Sequence, residues 1–92
     1  MEWLVIDIVY LRERGICILV LRASSLKMMA EVSSEVSVQV GDILHPVKDA
    51  TYLINKNKNL RLKIISASVF SATQWYLLKK NILESETART ML

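Results

Sequence analysis

The stretch from Trp3 to Leu21 constrains this chain more than any other. Two apolar runs, Trp3 to Leu11 and Ile16 to Leu21, flank the charged segment Arg12-Glu13-Arg14-Gly15, a pattern that predicts a β-hairpin. Neither strand alternates cleanly. In strict alternation, Trp3, Val5, Asp7, Val9 and Leu11 share one face of the first strand, and Leu4, Ile6, Ile8 and Tyr10 share the other. In the second strand Ile16, Ile18 and Val20 oppose Cys17, Leu19 and Leu21. Strands that are apolar on both faces must be covered on both faces. A chain of 92 residues has little material for two coverings, so the hairpin points to a partner, most simply a second copy of the chain.

Length and composition sharpen that expectation. One domain is implied, residues 1–84, followed by a flexible C-terminal tail over 85–92. A domain of this size buries about 60–65% of the surface its unfolded chain exposes, so it needs help from disulfides, metals or association. Cys17 is the only cysteine and lies within an apolar strand, which excludes an internal disulfide and favours a buried, inert thiol. With one His and one Cys there is no pair at metal-ligand spacing, and no cofactor is expected. Association is the remaining helper. The 52% hydrophobic content and mean hydropathy of +0.30 fit a buried interface. No apolar run approaches the ~20 residues of a membrane span, and the acidic Glu2 does not suit a secretory leader. The expectation is a cytoplasmic protein without membrane contact.

Along the chain, Ser24 and Ser25 are candidate caps for a short helix over about 25–33, carried by Leu26, Met28, Met29 and Ala30. Met28 and Met29, with Leu26 and Val32, then form a stripe suited to core filling or to an adaptable surface. Glu35 to Val40 alternates as a strand with one wet face, Gly41-Asp42 turns the chain, and His45-Pro46 ends the apolar line. Thr51 to Asn55 and Leu60 to Ile65 predict two further strands joined by the polar turn Asn55-Lys56-Asn57-Lys58-Asn59. Residues 66–84 predict a helix capped by Ser66 or Ser68 and apolar all round, a second sign of a buried interface. The rival reading makes Val69 to Leu78 a strand followed by a shorter helix. The predicted architecture is α+β: an antiparallel sheet of about five strands in the order β-β-α-β-β-β-α, with helices packed on one face. The segment Val40-Gly41-Asp42-Ile43-Leu44 is similar to a turn found in many small β-barrels, but it is too short to carry a family name.

Charge is segregated. Between Ala50 and Leu83 stand six cations, Lys56, Lys58, Arg61, Lys63, Lys79 and Lys80, and no acid, whereas the first 49 residues hold seven acids against five cations. Lys56, Lys58, Arg61 and Lys63 form a basic finger over residues 56–63 that could neutralise phosphates, with Asn55, Asn57 and Asn59 as hydrogen-bonding neighbours. A solvated sheet edge explains the same residues without any ligand. No aromatic-bearing RNA motif or helix-turn-helix accompanies them.

Catalytic chemistry finds no support. His45 is the only histidine, and it would need Asp42 or Asp49 beside it in a pocket to act. Asp7, an acid in an apolar strand, suits an ion pair with Arg22 or another cation better than acid–base work. The reading is a non-enzymatic, self-associating protein–protein interaction module, with nucleic-acid binding by the basic finger as the alternative and no small-molecule ligand. The expected interface comprises Trp3, Val5 and Ile18 of the hairpin with Trp75, Leu78 and Ile82 of the last helix.

Overall fold

A computed structural model describes residues 1–11, 14–33 and 37–91, with the side chains of 82–91 left out. Six strands, β1 (Trp3–Leu11), β2 (Ile16–Ala23), β3 (Leu26–Ser33), β4 (Ile43–Pro46), β5 (Thr51–Ile54) and β6 (Asn57–Val69), precede one helix, α1 (Ala72–Met91). The strands close into an antiparallel barrel in the order β1-β2-β3-β6-β5-β4. The expected open α+β sheet with helices on one face is therefore overturned. The chain builds a barrel and has one described helix.

The two-faced hairpin forms as expected, and its faces are covered from within the chain. Val5 of β1 and Cys17, Leu19 and Leu21 of β2 point into the barrel with Ala30, Val32, Leu44, Ile54 and Leu62. On the outer wall Val9, Val20 and Ile18 are covered by Trp75, Leu78 and Phe70. A β-bulge between Val5 and Asp7 changes the face assignment: Val5 pairs with Leu21, but Asp7 pairs with Val20. The extra residue shifts the alternation by one. Ile8 joins Val5 in the core, while Ile6, Val9 and Leu11 face outward.

The expected helix over 25–33 is strand β3. Ser24 (φ 58°) and Ser25 form the turn into it, and Met28, Ala30 and Val32 alternate inward against Leu21, Leu19 and Cys17. Good helix formers yield here because β2 offers a full-length ladder and a core to fill, terms larger than a few tenths of a kcal/mol of helix propensity per residue. Met28 and Met29 consequently part, Met28 toward the barrel interior and Met29 toward the helix.

The expected strand over 35–40 lies partly outside the described residues. Its described part, 37–40, is irregular. Val38 is nonetheless 1% exposed, because this connector crosses the end of the barrel and drops Val38 into the core. The Tyr10 hydroxyl donates to the Val38 carbonyl at 2.8 Å and fastens it.

His45 and Pro46 belong to β4 rather than stopping it. Pro46 closes the ladder opposite Tyr52, where a missing N–H costs least. The polar turn is tighter than expected: Asn55 (φ 53°) and Lys56 (φ 62°) make it alone, and β6 begins at Asn57. The helix expected over 66–84 forms but starts at Ala72, and the rival strand over Val69 to Leu78 ends at Val69. Residues 66–69 pair with β3, and the cap is Ser71, whose Oγ accepts the Gln74 N–H at 3.2 Å.

Candidate functional site

The barrel has two unlike ends. At one, the connector after β3 seals the interior with Val38. At the other, β1, β3 and β5 begin and β2, β4 and β6 finish, and no buried plug is found among the described residues. There the inward positions are only half-buried: Trp3, Met28, Tyr52 and Ile64 pack on the core without being sealed. Leu26, beside the Ser24-Ser25 turn, is 56% exposed, and Val69, paired with Met28, is 84% exposed. Met1 and Val47 add apolar surface at the same end. Isolated exposed apolar residues are ordinary, but here several gather around one opening. The sequence reading placed Leu26 in a stripe suited to core filling or to an adaptable surface but did not single out Val69, because its exposure depends on where the barrel closes.

The four expected phosphate-binding residues do come together on the β5–β6 hairpin, and all are exposed. The register slips between Leu53 and Ile54, so residues 58–60 bulge from the strand. Within the bulge Asn59 N–H bonds the Asn57 side chain at 2.9 Å, and Arg61 Nε donates to the Lys58 carbonyl at 3.1 Å. Among the described residues Lys56, Lys58, Arg61 and Lys63 have no acid in an ion pair.

The six expected interface residues divide. Ile18, Trp75 and Leu78 meet in one cluster on the outer wall, while Trp3 and Val5 belong to the barrel interior; the side chain of Ile82 lies outside the described set. Within this fold Val5 and Trp75 are covered by their own chain, at 1% and 7% exposure.

Beside that cluster sits a polar clasp. Asp7 Oδ2 accepts Trp75 Nε1 at 2.9 Å and Lys79 Nζ at 2.7 Å, while Oδ1 accepts the Ile8 N–H at 2.9 Å. Partial burial raises the Asp7 pKa, but the hydrogen bonds and the Lys79 charge outweigh it and hold the carboxyl below its ordinary value. Asp7 thus finds another cation than Arg22, brought by the bulge and the helix together. His45 forms no pair with Asp42 or Asp49; its Nδ1 meets Glu2 at 2.6 Å. Asp42 is instead occupied in holding the sealed end, accepting from Gln39 N–H and Asn55 Nδ2. Burial pushes the Cys17 thiol up, as suits an inert core residue.

These features define a small closed β-barrel with a helix clasped to its outer wall and an apolar opening at one end. A family model described as IraM/PmrD matches residues 1–76, and the chain belongs to that family. It is 44% identical over 82 residues to a Salmonella typhimurium protein named signal transduction protein PmrD, covering 87% of this chain and 96% of the relative. An Escherichia coli protein of the same name is 39% identical over 77 residues, covering 82% and 88%. The crystal structure of E. coli PmrD superposes with a TM-score of 0.79 at 38% identity, covering 87% of this chain and 96% of that one. The solution structure of the Klebsiella pneumoniae protein gives 0.70 at 33% identity, covering 83% and 95%. No helix among the described residues is long and apolar enough to cross a membrane.

Proposed function

We propose that this chain is a non-enzymatic signal-transduction protein that acts by holding a protein partner at the open end of its barrel. The observation that carries the reading is the asymmetry of the two ends. One is plugged by Val38 and tied by Tyr10 and Asp42, while the other leaves Leu26 and Val69 exposed around half-buried Trp3 and Met28. The signal-transduction names of the relatives support a protein as the occupant. Leu26 and Met28 would enter an apolar recess of the partner, and the aromatic Trp3 would anchor it.

The test is photo-crosslinking in the cell of origin, with a photoreactive residue at position 26 or at position 58. The expected result is one discrete protein adduct from position 26, abolished by Met28→Asp in a chain that keeps its barrel circular dichroism. Absence of any adduct at 26 would sink the reading.

A second reading keeps nucleic-acid binding by the finger of residues 56–63. It is favoured by the exposure of Lys56, Lys58, Arg61 and Lys63 without a paired acid among the described residues. It requires a nucleic-acid adduct from position 58, with affinity for a mixed oligonucleotide falling steeply as salt rises. Self-association remains part of the proposal, on a surface other than Trp75 and Val5, since their chain covers both.

A further inference from the structure

Strand β6 is flanked on both sides only near its middle. Its first half pairs with β5, ending at Thr51–Lys63, and its second half pairs with β3, from Val32–Ile64 to Met28–Val69. The Ile64 N–H bonds the Ala50 carbonyl at 3.0 Å, and beyond that point no described strand lies on the far side of β6. Ile65 to Val69 are all exposed. The Phe70 N–H donates to the Lys27 carbonyl at 3.3 Å, which sets the phase of the ladder. Alternate residues counted from there, Ser68 and Ser66, turn their backbone groups toward β3, so Ala67 and Val69 turn theirs outward. Residues 64–71 contain no charge and no proline, so this free edge lacks two of the usual protections, and the bulge at Ile65 stands at its start and leaves 66–69 in regular register.

We infer that this edge pairs with the same edge of a second copy, joining two barrels through an antiparallel β6–β6 ladder centred on Ser68. The register follows from the free groups. Ala67 opposite Val69 of the second copy, and Val69 opposite its Ala67, are reciprocal hydrogen-bonded pairs that use every outward N–H and C=O of the two residues. Ser68 then stands directly opposite Ser68. The surface is self-complementary, as a two-fold contact requires. It sets no charge against a like charge, which an arbitrary strand partner would not guarantee. The helix begins three residues past this edge, at Ala72, and lies over the outer wall of β1 and β2. The contact takes Val69 from the rim of the barrel opening and does not involve Leu26.

Light scattering on a sizing column, across a dilution series, reads the mass directly. The intact chain should rise toward twice the monomer mass with concentration. Ala67→Pro removes one outward N–H and should hold the chain at monomer mass. Ala67→Lys places a charge on the edge and should do the same if the proline variant fails to fold. Ser68→Cys tests the register. Residues in such a non-hydrogen-bonded pair lie with Cα atoms about 4.5 Å apart, within disulfide range. Oxidised glutathione should therefore link Ser68→Cys chains into a covalent dimer and leave Ser66→Cys chains unlinked. Cys17 is buried and does not compete. A monomer at every concentration with no linkage at 68 would overturn the inference. So would a dimer that survives Ala67→Lys, because another surface would then be responsible.

Discussion

Trp75 on the helix donates its indole hydrogen to Asp7 on the first strand, 68 positions away in sequence, at 2.9 Å. The bond joins two features that look unfavourable alone, an acid in an apolar strand and a tryptophan on an exposed helix. The bulge at Ile6 brings Asp7 to the outer wall, where Trp75 covers Val9 and Val20. Lys79, one turn on, reaches the same carboxylate oxygen and lies 5.7 Å from the Trp75 ring centroid. Few other described contacts hold α1 to the barrel.

Acid should therefore loosen the helix before it opens the barrel. A carboxylate held below its ordinary pKa adds stability that is fully present above that ordinary value and is lost as pH falls through the lowered one. In a Trp3→Phe background, Trp75 emission should shift to the red as pH falls below about 4, the ordinary Asp range. Asp7→Asn should show the shifted emission already at neutral pH and lose about 1 kcal/mol in urea unfolding. An Asp7→Asn chain with unchanged emission would remove the clasp.

Leu19 is fully buried at the centre of the barrel, between strands that supply Val5, Ala30 and Leu44. Leu19→Ala should cost about 3 kcal/mol, the transfer term plus the cavity left behind. Urea unfolding followed by circular dichroism checks it, with a fall in midpoint and an unchanged slope.

Asn55 sits at φ 53° in the two-residue turn while its side chain accepts the Ile43 N–H at 2.9 Å and donates to Asp42 at 3.0 Å. Asn55→Ala loses both bonds and keeps a strained backbone, and should cost about 2 kcal/mol. Asn55→Gly relieves the backbone alone and should fall between the two chains. Equal melting temperatures for all three would show that the turn is indifferent to its residue.

Ser71→Ala removes the acceptor for the Gln74 N–H at the start of α1. The expected loss is about 1 kcal/mol. Hydrogen exchange should show it in the first turn of the helix and leave the amides of β2 unchanged.

The hairpins were legible because their signals are local. Two apolar runs around Arg12 to Gly15, and the polar run Asn55 to Asn59 ahead of Leu60, identify turns within a few residues. The charge segregation that predicts a basic finger is likewise a property of neighbours, and Lys56, Lys58, Arg61 and Lys63 do share that hairpin. Leu26 to Val32 misled, because its residues tolerate a helix and only the ladder of β2 makes them a strand. Residues 66–69 misled for the same reason, with β3 supplying the ladder.

By itself, then, the sequence determined that β1 and β2 form a hairpin needing cover on both faces, and that the chain presents a cationic loop. Tertiary structure decided what the chain itself supplies as cover: barrel closure on one face and Trp75 on the other. It also decided which barrel end Val38 plugs and which edge of β6 stays open. The physical reason is range. Turns and alternation depend on backbone preferences within a few residues. Closure, bulge and plug depend on contacts between distant segments, whose free energy exists only once the whole barrel has formed.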